Sequence, residues 1–448
     1  MTPDFPHEVQ QAAERAAAEP RLPGLDRTDI PFVTIDPEGA MDLDQALHIE
    51  RDGDGYVVHY AIADVAAFVQ PGDPVDVEAH RRGETLYGAD SKVPLHPPVL
   101  SEDAASLLPE RDRPALLWTI EVDATGEGTE VDVRRALVRS RGRFAYDALQ
   151  EQLDAGTADP MFGLLREVGE LRLRREAARG GVSLPLPEQE IDIDGDRWSL
   201  QFRRMLPVEE WNAQISLLTG MAAASLMVYA RVGLLRTLPP PDPQDVQRLH
   251  RTAKALRIDW PAELLYPDFI RSLDPTQPHH AAMVLASTRL LRGSGYVGFD
   301  GEVPAQPEHS ALASEYAHVT APLRRLVDRY ASEVCVALCA GEDVPSWVTD
   351  KLHDLPATMQ ESSRRASAYE NAILDLVEAE VLRPHVGSTF RGVVVAVDEK
   401  DPKVGDVVVE QPAVEARVTS GEPLPLGTAV EVTLVEADPD RRTVRFAL

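Results

Sequence analysis

Residues 7–18 carry an Ala/Glu-rich pattern that predicts a helix, followed by a Pro/Gly loop to Pro31. From 32 to 69, apolar and polar positions alternate with the two-residue period of strands. Asp52-Gly53-Asp54-Gly55 interrupts that alternation as a hairpin turn; as a calcium loop it lacks the later acidic ligand. Asp192-Ile193-Asp194-Gly195-Asp196 reads as a turn in the same way. Leu116–Val122 and Val131–Ser140 predict another hairpin. The signal is helical from Tyr146 to Arg179 and again over 208–382, broken at Pro239-Pro240-Pro241 and by irregular segments around 261–280 and 293–308. Arg383-Pro384-His385-Val386-Gly387 reads as a linker. Short strands follow at 389–397, 406–410, 413–419, 428–436 and 442–447, with turns at Asp401-Pro402, Gly421-Glu422-Pro423 and Asp438-Pro439-Asp440. The expected class is α+β: a mixed α/β domain, then a small all-β barrel of OB type.

Charge narrows the picture. The 448 residues are 44% hydrophobic, an ordinary globular composition, yet the net charge is −29. Non-specific nucleic-acid binders show a basic footprint, so a nucleic-acid-binding protein with this balance must confine its positive charge to a channel. Arg139-Arg141-Arg143, Arg172-Arg174-Arg175, Arg203-Arg204, Arg289-Arg292 and Arg324-Arg325 are local clusters that allow this, though most such pairs are solvated helix faces. Cys335 and Cys339 are spaced for one helix face and make neither a zinc site nor a disulfide framework, which suits buried thiols in a reducing cytosol. The N-terminus has no basic region or apolar stretch of a signal peptide. The uncharged stretch from Asn212 to Ala230 contains enough polar residues to read as a buried helix and not a membrane span.

The chemistry concentrates in Thr34-Ile35-Asp36-Pro37-Glu38-Gly39-Ala40-Met41-Asp42-Leu43-Asp44-Gln45-Ala46. Three aspartates stand among apolar residues. Crowded, buried carboxylates repel one another unless a cation or strong donors lie between them. Oxygen-only ligands suit a hard ion such as Mg²⁺ better than zinc. If 41–45 is extended, Asp42 and Asp44 share a face. The bland alternative is an Asp-rich turn with Pro37-Glu38-Gly39 at its tip.

This motif resembles the signature of the RNB catalytic domain of the ribonuclease II and ribonuclease R family of 3′-to-5′ exoribonucleases: Thr-Ile-Asp, a spacer, then Asp-x-Asp-Asp-Ala. Asp36, Asp42 and Asp44 match, and Gln45 replaces the fourth aspartate. The resemblance continues through Ala61-Ile62-Ala63-Asp64-Val65, Val93-Pro94-Leu95-His96-Pro97, Leu100-Ser101 and Val208-Glu209-Glu210. It returns at His309 to Asp328, including Tyr316-Ala317-His318-Val319-Thr320-Ala321-Pro322-Leu323-Arg324-Arg325. It implies a lead-in over 1–33, a catalytic domain over 34–383 and an OB-fold RNA-binding domain over 387–448. The cold-shock barrels that usually precede the family's catalytic domain are missing, since only 33 residues precede Thr34.

By this resemblance the chain degrades single-stranded RNA from its 3′ end to 5′-nucleoside monophosphates, by two-metal-ion hydrolysis with Mg²⁺ or, as a substitute, Mn²⁺. Asp36, Asp42, Asp44 and Gln45 would be the metal site, and Asp44, Arg324 and Tyr87 the catalytic set. Arg324 would grip phosphate and Tyr87 would stack on the terminal base. Arg325, Glu370 and Phe390 would add RNA contacts. The OB-type segment is poor in stacking aromatics, with Phe390 and Phe446 alone, and its eleven acidic residues outnumber seven Lys and Arg. Weak or shared RNA binding is expected there. The expected setting is a cytoplasmic monomer without membrane or nucleotide-cofactor partners. Two rival readings remain: a catalytically silent RNA-binding protein, favoured by Gln45, and a metal-dependent phosphohydrolase of small substrates, favoured by the acidic surface.

Overall fold

The computed structural model describes residues 2–195 and 197–448; Asp196, in the second expected turn, lies outside them. After α1 (His7–Ala18) come β1 (Phe32–Asp36), β2 (Gln45–Asp52) and β3 (Gly55–Ala63), then α2 (Pro74–Arg82) and the short hairpin β4 (Leu86–Tyr87) and β5 (Lys92–Val93). The long strands β6 (Asp112–Val122) and β7 (Gly128–Ala145) complete a closed barrel in the order β1-β2-β3-β6-β7. The Asp52–Gly55 turn pairs its end residues as expected, with Gly53 at φ +54°.

Closure of this barrel was not foreseen from the alternation. It depends on β1 returning to pair in parallel with β7, with Ile35 opposite Phe144 and Asp36 opposite Ala145. Both faces of the barrel are covered. Leu47, Ile49, Val58, Tyr60, Ile62 and Trp118 belong to a core shared with the helices. Ala46, Ala61, Ala63, Leu117 and Val138 belong to a second core under α1. A strand buried on both faces reads as a continuous apolar run, as Ala61-Ile62-Ala63 does.

The helical stretch expected over 146–179 is two helices, α3 (Tyr146–Asp154) and α4 (Pro160–Arg179). Gly156 at φ +67° ends the first, and the Asp159 carboxylate caps the second by accepting from Met161 N at 2.9 Å. The hairpin β8 (Glu188–Asp194) and β9 (Arg197–Arg203) leads to α5 (Pro207–Ala230). By length and composition α5 is apolar enough to cross a membrane; here Val208, Trp211, Ile215, Leu218, Ala224 and Met227 are buried in the protein core.

The helical reading of 208–382 needs correction. Arg231 takes a left-handed conformation that ends α5, and β10 (Val232–Thr237) follows. Then come α6 (Pro243–Ala255), α7 (Tyr266–Arg271), α8 (Pro278–Ser287), β11 (Gly295–Asp300), β12 (Glu308–His309) and β13 (Ser314–Glu315). β10 pairs antiparallel with β11, so part of the segment expected to be irregular is a strand. α9 (Leu326–Ala340), α10 (Ser346–Thr349) and the long α11 (Leu355–Leu382) close the first body. Cys335, on α9, is fully buried.

The C-terminal strands β14 (Thr389–Val397), β15 (Val404–Glu410), β16 (Ala413–Thr419), β17 (Ala429–Asp438) and β18 (Thr443–Ala447) form a second closed barrel, in the order β14-β15-β16-β18-β17. Its interior valines, Leu434 and Phe446 pack continuously with Leu200 of β9 and with Val377, Ala379 and Leu382 of α11. The barrel therefore shares a core with the body.

Candidate active site

Asp36 ends β1, while Asp42 and Asp44 lie in the approach to β2. Burial and the charge of Asp42 push the Asp36 carboxyl up to about 6, against the pull of Arg324 and Arg143; its Oδ2 is buried without a hydrogen-bond partner. Asp44 is 5% exposed. Burial pushes it up to about 8, and the charges of Asp328 and Asp42 push the same way, while Arg324 and the Leu323 amide oppose the shift. That amide donates to Asp44 Oδ1 at 2.7 Å, and Arg324 Nε stands 3.5 Å from Oδ2. Asp42 Oδ1 accepts from Lys92 Nζ at 2.9 Å, and Lys92 also pairs with Glu102 at 3.0 Å.

The loop that carries Leu323 and Arg324 is anchored on both sides. Gly220 of α5 lets it approach: a Cβ there would fall 2.1 Å from the Tyr316 ring and 2.6 Å from the Ala317 carbonyl. Gln45 fastens it to the barrel. Its Nε2 donates to the Thr320 carbonyl at 2.7 Å, and its Oε1 accepts from Tyr60 Oη at 2.5 Å and from Ser216 Oγ at 3.4 Å. Gln45 thus links β2, β3, α5 and the loop. For its carbonyl oxygen to ligate a cation, it would have to leave these hydroxyls.

Arg325 and Arg324 differ in their commitments. Arg325 forms two 3.0 Å hydrogen bonds to the fully buried Asp328 carboxylate, which holds the start of α9. Arg324 keeps 45% of its side chain exposed. Tyr87 is 39% exposed on the β4–β5 hairpin, and Lys92 is its cross-strand partner. Desolvation and the charges of Asp42 and Asp44 raise the Tyr87 phenol's pKa, while Arg324 and Arg325 lower it, so the phenol lies in the field of the same charged groups.

The other two expected RNA contacts lie on α11, which packs against β4, and on the second barrel. Glu370 is exposed on α11, where desolvation and the charge of Glu84 raise its pKa. Phe390 is half-buried in the second barrel, edge-on to Phe446 at 5.9 Å and to His385 at 6.4 Å. Its ring is engaged in the barrel's own packing.

Lys92 was missed in the sequence, although it stands immediately before Val93-Pro94. Arg143 was seen only as one of a cluster; its Nη1 donates to the Ala40 carbonyl at 2.8 Å, within the motif. A lysine or arginine has no signature spacing, so only the strand pairing brings these two to the aspartates.

The donor chemistry fits a hard divalent cation. The acceptors are carboxylate oxygens; Asp44 is buried and Asp36 half-buried, the charge of Asp42 raises the pKa of both, and among the described residues Asp36 Oδ2 lacks a partner. Among the described residues, however, no three His, Cys, Asp or Glu side chains converge as a ready cage. Lys92 and Arg324 stand against Asp42 and Asp44 as their positive partners.

The RNB domain family matches residues 25–339, and the RNase II-type exonuclease C-terminal S1 domain matches 388–448. Ribonuclease R of Escherichia coli is 25% identical over 504 aligned residues, covering 100% of this chain and 61% of that protein. This chain thus spans about three fifths of that relative's length. Apo ribonuclease R of Mycoplasma genitalium superposes with a TM-score of 0.87 at 20% identity, over 99% of this chain and 75% of that one. Yeast Ssd1, a pseudonuclease, superposes at 0.73 with 17% identity, over 96% and 53%. With the RNB domain spanning most of its length and the S1 barrel joined through α11, this chain belongs to the RNB-domain family of ribonuclease II-type proteins.

Proposed function

We propose that this chain is a 3′-to-5′ exoribonuclease that hydrolyses single-stranded RNA to 5′-nucleoside monophosphates. The observation that carries the reading is the Asp44 carboxylate, buried between the Leu323 amide and the exposed Arg324 guanidinium, with the unpartnered Asp36 Oδ2 in the same charged centre. The relatives named ribonuclease R support it, as does a solved complex of Mycoplasma genitalium ribonuclease R with ribose methylated single-stranded RNA.

Asp36, Asp42 and Asp44 would hold Mg²⁺, or Mn²⁺ in its place. When bound, the ion supplies charge neutralisation and an acidified water. The Arg324 fork binds the scissile phosphate and offsets charge that develops on it. Tyr87 offers a ring face to the terminal base, a contact blind to sequence. Gln45 holds the arginine loop in register.

A second reading is a catalytically silent RNA binder. The engagement of Gln45 and the Lys92–Asp42 pair favour it. A 5′-labelled single-stranded RNA incubated with and without Mg²⁺ decides. A metal-dependent ladder ending in short oligomers supports the exonuclease. A mobility shift without cleavage supports the silent binder, and inertness towards RNA leaves a phosphohydrolase of small substrates.

A further inference from the structure

α4 presents Arg172, Arg175 and Arg179 to a cleft of about 600 Å³, whose other walls come from α5, the β6–β7 turn and β13. None of Asp36, Asp42 and Asp44 lines it. Arg172 is 2% exposed. Its Nη atoms reach only uncharged acceptors, the Gly126 carbonyl at 2.8 Å and Met221 Sδ at 3.3 Å, and its buried Nε has no partner. Burial, aided by the charges of Arg179 and Arg175, pushes Arg172 down to about 10. Arg179 donates from Nε to the Leu312 carbonyl at 2.7 Å, and its buried Nη2 also lacks a partner. Glu127, Glu130 and Glu315 share the lining, but Glu127 is engaged by Arg175. Tyr229, on α5, is 93% exposed and borders the same cleft.

A buried guanidinium that makes no ion pair is costly, even with the Glu127 and Glu176 carboxylates near enough to offset part of its charge, and planar donors with unpartnered N–H groups match a phosphate oxyanion. An exposed aromatic beside such donors offers a stacking face for a base. We propose that this cleft is a second, non-catalytic binding site for a phosphate-bearing ribonucleotide, with the phosphate on Arg172 and Arg179 and the base on Tyr229. The phosphate belongs either to a free mononucleotide or to the backbone of an RNA chain.

Hydrogen exchange on the full chain tests this independently of any hydrolysis. Measurements without divalent metal compare adenosine 5′-monophosphate, adenosine and a short single-stranded oligoribonucleotide. The expected result is slowed exchange at 123–131 and 225–231 with the monophosphate or the oligomer, and none with adenosine. Protection by the monophosphate assigns a free nucleotide; protection by the oligomer alone assigns an RNA backbone. Arg179→Gln should weaken the protecting ligand at least about ten-fold, the worth of one charge-assisted contact. Tyr229→Ala, at a solvent-exposed position, should weaken it while leaving the melting temperature unchanged. Absence of protection by both phosphate ligands overturns the proposal, as does protection by adenosine equal to that by its monophosphate. Unaltered protection in Arg179→Gln also overturns it. None of these outcomes bears on whether Asp44 supports cleavage.

Discussion

Asp44 is held by one backbone amide and one guanidinium in a setting that disfavours its charge. Asp44→Asn keeps the acceptor for Leu323 but removes the charge. If Asp44 holds a metal as proposed, cleavage should fall below about 1% of wild type, since losing such a ligand costs several kcal/mol of barrier. Affinity for RNA should persist, and the metal-free protein should melt no lower than wild type. Single-turnover rates and thermal melts together check this; a variant that cleaves normally removes Asp44 from the reaction. Tyr87→Ala deletes a stacking face worth about 1–3 kcal/mol. Digestion should then stop at longer end products, read on a sequencing gel.

Among the elements, the clamp from Gln45 to Tyr60, Ser216 and Thr320 joins two strands, a helix and the arginine loop. Tyr60→Phe removes one buried donor and should cost about 1–2 kcal/mol of stability, measured by denaturant unfolding. Gln45→Asp replaces an amide donor with a carboxylate facing the Thr320 carbonyl. It should destabilise the protein and slow turnover without lowering the Mg²⁺ concentration needed for half-maximal rate. A clear fall in that concentration would show that Asp at this position reaches the metal.

Much at this scale was legible beforehand: α1, the Asp52–Gly55 turn and the positions of all five C-terminal strands. Each is set by local periodicity or turn chemistry. β10 was not legible, because Val-Gly-Leu-Leu-Arg-Thr continues the apolar pattern of α5 and only the left-handed Arg231 breaks it. The three aspartates were visible from spacing. Their neutralisers, Lys92 and the Leu323 amide, were not, since they arrive through tertiary pairing.

Across the whole molecule, the second barrel and α11 share a core in which Glu378 is buried, its Oε1 accepting from Gln189 at 2.7 Å. Burial chiefly, with the charges of Asp375 and Glu415, pushes Glu378 up to about 7 from an ordinary value of 4.5. The folded state therefore holds a proton that the unfolded chain releases at lower pH. Stability from this group is present in full below about 4.5 and is lost as pH rises through about 7. Asp36 and Asp44 act in the same direction, so the metal-free protein should lose stability over that range. Glu378→Gln should flatten the dependence, as melting curves from pH 5 to 8 would reveal. Removing residues 387–448 should unfold or aggregate the remainder, because Leu200, Val377 and Leu382 lose their cover; an unchanged melting temperature would mark the barrel as separable.

The bond from the Leu323 amide to Asp44 spans 279 positions of chain. On the ribosome, the acidic motif emerges long before the loop that neutralises it. At about 5–20 residues per second, that interval lasts roughly 14–56 seconds. The barrel around Asp36 can close once residue 145 has been made, yet its charged centre must wait for the arginine loop. Once residue 92 has been made, Lys92 is a cation at hand for Asp42 for the rest of that window. The lysine that pairs with Asp42 in the finished protein can thus serve as a placeholder during its birth.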